Sequence, residues 1–169
     1  MLSGLRPSAS SADPAGGGLS AAEQMQRFLK GNTRSRQRLW PQLQGLGSEL
    51  YPLVWTHLQS LDRTPDDWAT GSLLRLLARD GEQRVRLQQI AADGWLQAPP
   101  AEHTTYSELQ QALLLGDLQE ADRLTSVQLR RLAGPSAEER GYVYFSEVPA
   151  MAEAELAFLD TAWWFYSNG

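Results

Sequence analysis

The sequence predicts an all-α protein, and two observations lead to this prediction. The 169 residues include 27 leucines, against five valines and one isoleucine. Leucine loses little rotamer freedom in a helix, whereas β-branched residues favour pleated sheets. In addition, helix start signals recur along the chain, each followed by apolar residues at helical spacing. A β-sandwich, a barrel or a doubly wound sheet is therefore not expected.

The first 19 residues are predicted to be a disordered tail. They are mostly Ser, Gly, Ala and Pro, and such a composition cannot bury enough apolar surface to offset the entropy of ordering. A short organelle transit sequence is the alternative interpretation, because serine is frequent and acidic residues are scarce. The plain tail is favoured over the transit sequence.

The next segment, 20–98, is predicted to be an N-terminal helical bundle. Its first helix begins at Ser20, which forms a capping box with Glu23, and ends at Gly31. Residues 33–47 are ambiguous because Pro41 interrupts an apolar series, and a helix that begins at Pro41 is favoured over one that runs through it. Two further helices are expected over 52–61 and 82–92. Between them, another helix is expected to begin at Thr64-Pro65-Asp66-Asp67 and to end at Asp80-Gly81.

A domain boundary is predicted at Ala98-Pro99-Pro100, because two successive prolines cannot continue a helix. The second domain, 101–169, is expected to contain helices over 106–115 and about 117–132, which are stopped by Gly116 and Gly134. A polar connection over 136–141 then leads to an aromatic run and to a last helix after Pro149.

The last helix is unusually apolar. Its spacing predicts one buried stripe, made of Leu156, Leu159, Trp163 and Tyr166. Trp164 and Phe165 fall on other faces, so that the helix is apolar nearly all round and must be covered on most sides. A partner, a ligand or a further segment of chain is expected to cover it.

Several classes of function are disfavoured by what the sequence lacks. It has no cysteine, and its two histidines, His57 and His103, are far apart, so thiolate zinc sites and cysteine nucleophiles are excluded. His57 lies among apolar residues and is interpreted as structural. Glu120 and Asp122 are two residues apart on a predicted helix and therefore point in different directions. We expect no catalytic residue, no metal site and no enzymatic activity.

Charge disfavours nucleic acid as a partner, since the formal net charge is −5. One basic stretch nevertheless contains no acidic residue, and its members are Arg27, Lys30, Arg34, Arg36 and Arg38. It is interpreted either as a patch for an acidic partner, a lipid headgroup or RNA phosphate, or as a solvated helix face. The solvated face is favoured, because no aromatic residues alternate with the arginines. No apolar stretch reaches the length of a membrane span, and an intracellular protein is expected.

Five sequence blocks in order resemble the opening half of the core domain of the Genomes-Uncoupled-Four family. The blocks are Leu109-Gln110-Gln111-Ala112-Leu113, Glu120-Ala121-Asp122-Arg123-Leu124-Thr125, Leu132-Ala133-Gly134-Pro135, Tyr144-Phe145-Ser146-Glu147-Val148 and Leu159-Asp160-Thr161-Ala162-Trp163-Trp164, followed by Ser167-Asn168-Gly169. The resemblance covers 106–169 and is much weaker over 20–98.

The resemblance implies a non-enzymatic, all-α regulator of chlorophyll biosynthesis. Members of this family bind protoporphyrin IX and Mg-protoporphyrin IX, without a covalent cofactor, and stimulate magnesium chelatase through its large subunit. The implied location is the cytoplasm of a cyanobacterial-type cell, with thylakoid association as an option, or the chloroplast stroma in a eukaryote. Peripheral membrane association is one implied property, whereas binding to nucleic acid is not.

The resemblance also implies a porphyrin site. Phe145 and Val148 match family cleft positions, Tyr144 and Met151 are neighbours on the same wall, and Arg130 is the weaker choice as a partner for a propionate. The family continues past the Ser-Asn-Gly match with a segment that forms the other wall of the cleft, so the sequence corresponds to a C-terminally truncated core. A helical protein-interaction adaptor that has lost porphyrin binding is the alternative function.

Overall fold

The computed structural model describes residues 18–61, 63, 67–99 and 103–167. Within these residues every regular element is helical and no strand occurs, which confirms the predicted all-α class. The elements are α1 (Ala21–Lys30), α2 (Thr33–Leu46), a 3₁₀ helix (Gly47–Leu50), α3 (Tyr51–Gln59), α4 (Trp68–Ala78), α5 (Gly81–Ile90), α6 (His103–Leu115), α7 (Leu118–Ala133), α8 (Pro135–Arg140), a second 3₁₀ helix (Phe145–Ala150) and α9 (Glu153–Tyr166). No helix of the described chain is long and apolar enough to cross a membrane.

Helix α4 is the centre of the core. Every one of its residues except Arg75 is buried, and α1, α3, α5, α6 and α9 all contact it. Asp67 caps its N-terminus by accepting a hydrogen bond from the Ala69 amide at 3.2 Å. The rest of the predicted start signal, Thr64, Pro65 and Asp66, lies outside the described residues. A helix covered on all sides must be apolar all round, and the leucine pairs of α4 meet that requirement.

Helix α4 approaches α9 closely at Gly71. A Cβ atom at Gly71 would lie 1.9 Å from the carbonyl oxygen of Phe165, so only glycine lets the two backbones come this close. One turn further along α4, the Arg75 guanidinium donates to the carbonyl of Tyr166 at 3.0 Å. This bond satisfies a carbonyl at the C-terminal end of α9, which has no partner within its own helix.

Arg36 ties α1, α2 and α4 together. Its guanidinium donates to the carbonyl of Phe28 at 3.0 Å and to that of Leu29 at 2.6 Å, at the C-terminal end of α1. It also forms an ion pair with Asp67, the cap of α4, and lies 5.5 Å from the ring centre of Trp68. One side chain therefore closes the ends of two helices.

The prediction that a helix begins at Pro41 is wrong, because α2 runs through it from Thr33 to Leu46. A proline inside a helix lacks one backbone donor and strains the preceding turn. Burial on both sides of the proline offsets this cost: Trp40 stacks on Phe28 with ring centres 5.5 Å apart, and Leu43 is fully buried. The predicted start of α1 is confirmed, since the Ser20 amide donates to Glu23 at 2.8 Å in a capping box.

Two predictions in the second half are also wrong. The polar connection over 136–141 is mostly helical, because α8 begins with Pro135 at its first position, where a missing N–H costs nothing. The predicted stripe of α9 omits Phe165, which is fully buried because α4 covers that face at Gly71. The chain itself thus covers most of the last helix, and Trp164 remains 46% exposed.

One side chain connects residues on either side of the predicted boundary at 98–100. The Gln110 amide nitrogen donates to the carbonyl of Leu96 at 3.0 Å, and its oxygen accepts from the Leu96 amide at 2.8 Å and from the Tyr166 hydroxyl at 3.3 Å. The main core also includes residues from both sides. The division into 20–98 and 101–169 remains a prediction, and the predicted tail, 1–19, lies outside the described residues except for Gly18 and Leu19.

The close approach of α4 to α9 predicts that Gly71→Ala destabilises the protein. The added methyl group overlaps the Phe165 carbonyl, so the helices must separate, and overpacking of this kind costs about 1–3 kcal/mol or more of unfolding free energy. Equilibrium denaturation with urea measures the change.

Gly45→Ala is the matched control. Gly45 lies in α2 and is exposed, and no atom lies within 4 Å of the position that an added Cβ would take. Because glycine inside a helix is less stable than alanine, the change should raise the unfolding free energy by about 0.5–1 kcal/mol. Equal stability of the Gly71→Ala and Gly45→Ala proteins would contradict the close packing.

Candidate functional site

The segment between α8 and α9 carries four of the five predicted site residues. It leaves α8 through Gly141, whose φ of 86° is a left-handed conformation that favours glycine. Tyr144 is extended, and the second 3₁₀ helix, Phe145–Ala150, follows and contacts α7. We refer to residues 142–151 as the aromatic loop.

Arg140 organises the start of the aromatic loop. Its guanidinium carbon lies 4.9 Å from the ring centre of Tyr142 and 4.1 Å from that of Tyr144. The same group donates to both carboxylate oxygens of Glu147, at 2.9 and 2.7 Å, and to the carbonyl of Tyr142 at 3.1 Å. The two tyrosine hydroxyls are 3.2 Å apart. These contacts hold the loop against the end of α8.

Glu147 closes the loop from its other end. Its carboxylate accepts from the Tyr144 amide at 2.8 Å. That hydrogen bond, together with the one from Arg140, lowers the pKa of Glu147 below its ordinary value. The hydrogen bond to Tyr144 raises the pKa of Tyr142. Glu147 is therefore a carboxylate at neutral pH and serves as the anion of the Arg140 pair.

The predicted apolar site residues divide into exposed and buried groups. Phe145 is 91% exposed, Tyr144 is 51% exposed and Val148 is 39% exposed, whereas Met151 is buried. Burial of the Phe145 side chain would remove apolar surface from water, yet no described part of the chain covers it. The loop thus presents an aromatic and aliphatic surface to solvent, and Met151 is not part of that surface.

Arg130 lies in a different environment, on the polar side of α7. It lines an open groove of about 540 Å³ with Asp117, Glu120, Asp122 and Arg123. Three carboxylates therefore face two guanidinium groups among these charged residues, and Glu120 pairs with Arg123 at 2.7 Å. None of the described lining residues belongs to the aromatic loop. The groove is less favourable to an anionic propionate than an isolated arginine would be.

Helix α9 is anchored beside the aromatic loop by a hydrogen bond to α7. The indole nitrogen of Trp163 donates to the Thr125 hydroxyl at 2.9 Å, and that hydroxyl donates to the Ala121 carbonyl at 2.8 Å. Two positions from the resembling blocks, Thr125 and Trp163, therefore have structural partners. The hydrogen bond thus joins α7, which the loop contacts, to α9, into which the loop leads.

Glu120, Asp122 and His57 form no shared site in the described part of the chain. No group of three or more His, Asp and Glu side chains there could hold a metal ion. Glu120 pairs with Arg123 rather than with Asp122, and His57 is half-buried on α3. These placements agree with the structural interpretation of each residue.

Comparison with known proteins assigns this part of the chain. A family model described as GUN4-like matches residues 100–169. The segment from 100 to 169 belongs to the GUN4-like family.

Three relatives extend the comparison. The chain is 32% identical over 103 residues to a Ycf53-like protein of Synechocystis sp., which covers 60% of this chain and 44% of that protein. It is 30% identical over 96 residues to the ycf53 protein of Pyropia yezoensis, over 56% and 40% of the two chains. It is 33% identical over 66 residues to a protein of Arabidopsis thaliana named tetrapyrrole-binding protein, chloroplastic. That match covers 39% of this chain and 25% of the Arabidopsis protein. The chain spans less than half the length of these relatives.

The ion pair between Arg140 and Glu147 was not predicted from the sequence. Arg140 is the last residue of α8 and Glu147 lies in the second 3₁₀ helix. Because the two residues belong to different helices, no helical spacing in the sequence relates them. The tyrosines between them did carry a signal, because Tyr142 and Tyr144 are two residues apart and side chains at this spacing share one side of an extended strand. An arginine just before such a pair could have been expected to lie against both rings.

The Arg140–Glu147 pair predicts that Glu147→Gln loosens the aromatic loop of the GUN4-like segment. Glutamine keeps the size of the side chain but removes the charge that Arg140 and the Tyr144 amide require. Hydrogen exchange followed by mass spectrometry should show faster exchange in peptides that cover 142–151, with no change in α4. Glu120→Gln is the matched control, because it removes an arginine partner from the surface of α7.

Acidification should reproduce this effect in the unaltered protein. The folded-state pKa of Glu147 is lowered. Its contribution to the stability of the loop is therefore fully present above the ordinary carboxyl pKa, and it is lost as the pH falls through the folded-state pKa. Loop exchange, corrected for the intrinsic pH dependence, should rise below about pH 4. The same rise in the Glu147→Gln protein would show that another group is responsible.

Proposed function

We propose that this chain is a non-enzymatic, tetrapyrrole-binding regulator that acts in chlorophyll biosynthesis. The observation that carries the proposal is the aromatic loop, which exposes Phe145 almost fully within the GUN4-like segment. The Arabidopsis relative is named a tetrapyrrole-binding protein, which supports this class of ligand. The ligands proposed are protoporphyrin IX and Mg-protoporphyrin IX.

The surface of the loop suits a flat, apolar macrocycle. Phe145 can stack on a porphyrin face, and Val148 and Tyr144 extend the same apolar surface. Met151 is buried, so a ligand would touch the exposed side chains before it. The Arg140 and Glu147 contacts hold the loop in place before binding, so less conformational entropy is lost when a ligand binds.

The propionates need cations near the rim of the macrocycle. Arg130 is the proposed partner from the matched segment, although carboxylates share its groove. Arg140 is nearer to the aromatic loop in the chain, but its guanidinium already pairs with Glu147. We therefore assign Phe145, Val148 and Tyr144 the larger share of the binding free energy, and Arg130 a smaller one.

The regulatory part of the proposal concerns magnesium chelatase. We infer that the porphyrin-loaded protein binds the large subunit of the chelatase and stimulates it, in the cytoplasm of a cyanobacterial-type cell or the stroma of a chloroplast, with peripheral membrane association as an option. Relatives from a cyanobacterium and a chloroplast support this location.

Porphyrin binding is tested by Phe145→Ala. We expect a deuteroporphyrin titration of the unaltered chain to shift the Soret band and to quench tryptophan fluorescence. Loss of the ring should weaken binding by about tenfold or more, which corresponds to at least about 1.4 kcal/mol. Because Phe145 is 91% exposed, its removal disturbs no packing in the folded protein.

Leu118→Ala is the matched control for this experiment. Leu118 is also an exposed apolar residue, at 58%, but lies at the start of α7. Its removal should leave the affinity unchanged. The absence of any Soret shift with the unaltered chain, or equal losses in both variants, would contradict direct porphyrin binding by the aromatic loop.

Chelatase regulation is tested separately, by pull-down of the large subunit with and without porphyrin and by the rate of magnesium insertion. We expect porphyrin-dependent retention and a higher rate, both reduced in Phe145→Ala. Retention that does not depend on porphyrin, in a chain that gives no Soret shift, would instead favour the protein-interaction adaptor.

A further inference from the structure

The described surface contains a second open groove, in the N-terminal half between α1 and α2. It has a volume of about 640 Å³ and its apolar lining includes Leu19, Ala22 and Leu39. Along α1 the lining residues extend from Ala22 to Lys30, a distance of about 12 Å at 1.5 Å per residue. We call this feature the α1–α2 groove.

Three cations line the α1–α2 groove: Arg27, Lys30 and Arg38. All three are exposed, and none forms an ion pair with a described residue. Arg36, from the same basic stretch, is occupied by the Asp67 pair and the carbonyls of α1. The structure thus separates one structural arginine from three cations that are accessible to a partner.

The acidic residue that lines the α1–α2 groove, Glu23, offsets one of the three positive charges and lies close enough to Arg27 to interact with it. Glu23 is bound in the capping box, where it accepts from the Ser20 amide at 2.8 Å and from the Ser20 hydroxyl at 2.9 Å. These hydrogen bonds lower its pKa, so it remains charged as part of the helix cap. Three cations and one carboxylate give the groove an excess of positive charge in a chain whose net charge is −5.

We propose that the α1–α2 groove binds an acidic amphipathic helix of a partner protein. An apolar lining with cations beside it is complementary to a helix whose apolar stripe is flanked by carboxylates. The lining residues come from both α1 and α2 and form a shallow groove, which fits a helix laid along it better than a flat bilayer. This inference concerns a different part of the molecule and does not depend on porphyrin binding.

The partner is unidentified, so the test uses a designed probe. It is a fluorescein-labelled peptide of about 18 residues, long enough to form a helix, with leucines on one face and glutamates beside them. A scrambled peptide of the same composition lacks the apolar stripe. We expect saturable fluorescence anisotropy with the amphipathic peptide alone, weaker binding at higher salt, and NMR shift changes of the full chain confined to α1 and α2.

Arg38→Glu is the decisive variant, and Arg84→Glu is its control. Arg38 lies inside α2 and Arg84 inside α5, and both are exposed, so neither change alters a helix end. Arg38→Glu should weaken binding at least about fivefold, whereas Arg84→Glu should leave it unchanged. Circular dichroism checks that both variants remain folded.

Three results would overturn the proposal. The first is equal binding of the amphipathic and scrambled peptides, and the second is equal loss in the two variants. The third is absence of peptide binding together with sedimentation on phosphatidylglycerol vesicles that Arg38→Glu abolishes, which would assign the groove to a membrane surface.

Discussion

The approach of α4 to α9 at Gly71 is the contact on which the rest of the structure depends. A side chain here would meet the Phe165 carbonyl at 1.9 Å, so the two helices pack backbone to backbone. That contact buries Phe165, and Arg75 then reaches the Tyr166 carbonyl. Because α4 belongs to the N-terminal half and α9 to the GUN4-like segment, the contact joins the weakly resembling part of the chain to the part whose family is known.

The position of α9 determines the setting of the aromatic loop. Trp163 is bonded to Thr125 on α7, and the loop connects α8 to α9 across the side of α7. Within that frame, Arg140 contacts both tyrosines and Glu147, and Phe145 is left in solvent. A partly exposed polar network and a packed helix pair thus support an exposed apolar side chain, which is the arrangement expected of a preorganised binding surface.

The elements that could be predicted from the sequence are those with local signals. The capping box at Ser20 and the glycine stops at Gly31, Gly116 and Gly134 are signals that lie within one turn of the helix ends they mark. Pro41 was interpreted wrongly, since its local effect opposes a helix that the burial of Trp40 and Leu43 stabilises. Phe145 and Val148 were identified by resemblance, but their exposure follows from how distant segments pack. The carboxylates that share the Arg130 groove, in contrast, lie on the same helix, α7, or at its N-cap.

The sequence by itself determined the all-α class and most helix ends. The reason is that the helix preference of leucine and the bonds made by caps depend only on residues within a turn or two of the chain. Only the tertiary structure decided how the arginines of the basic stretch are used. Arg36 became an internal link because it meets the end of α1 and the cap of α4, whereas Arg38 remained at the surface. Contacts between residues 31 positions apart, such as Arg36 and Asp67, have no counterpart in a local sequence pattern.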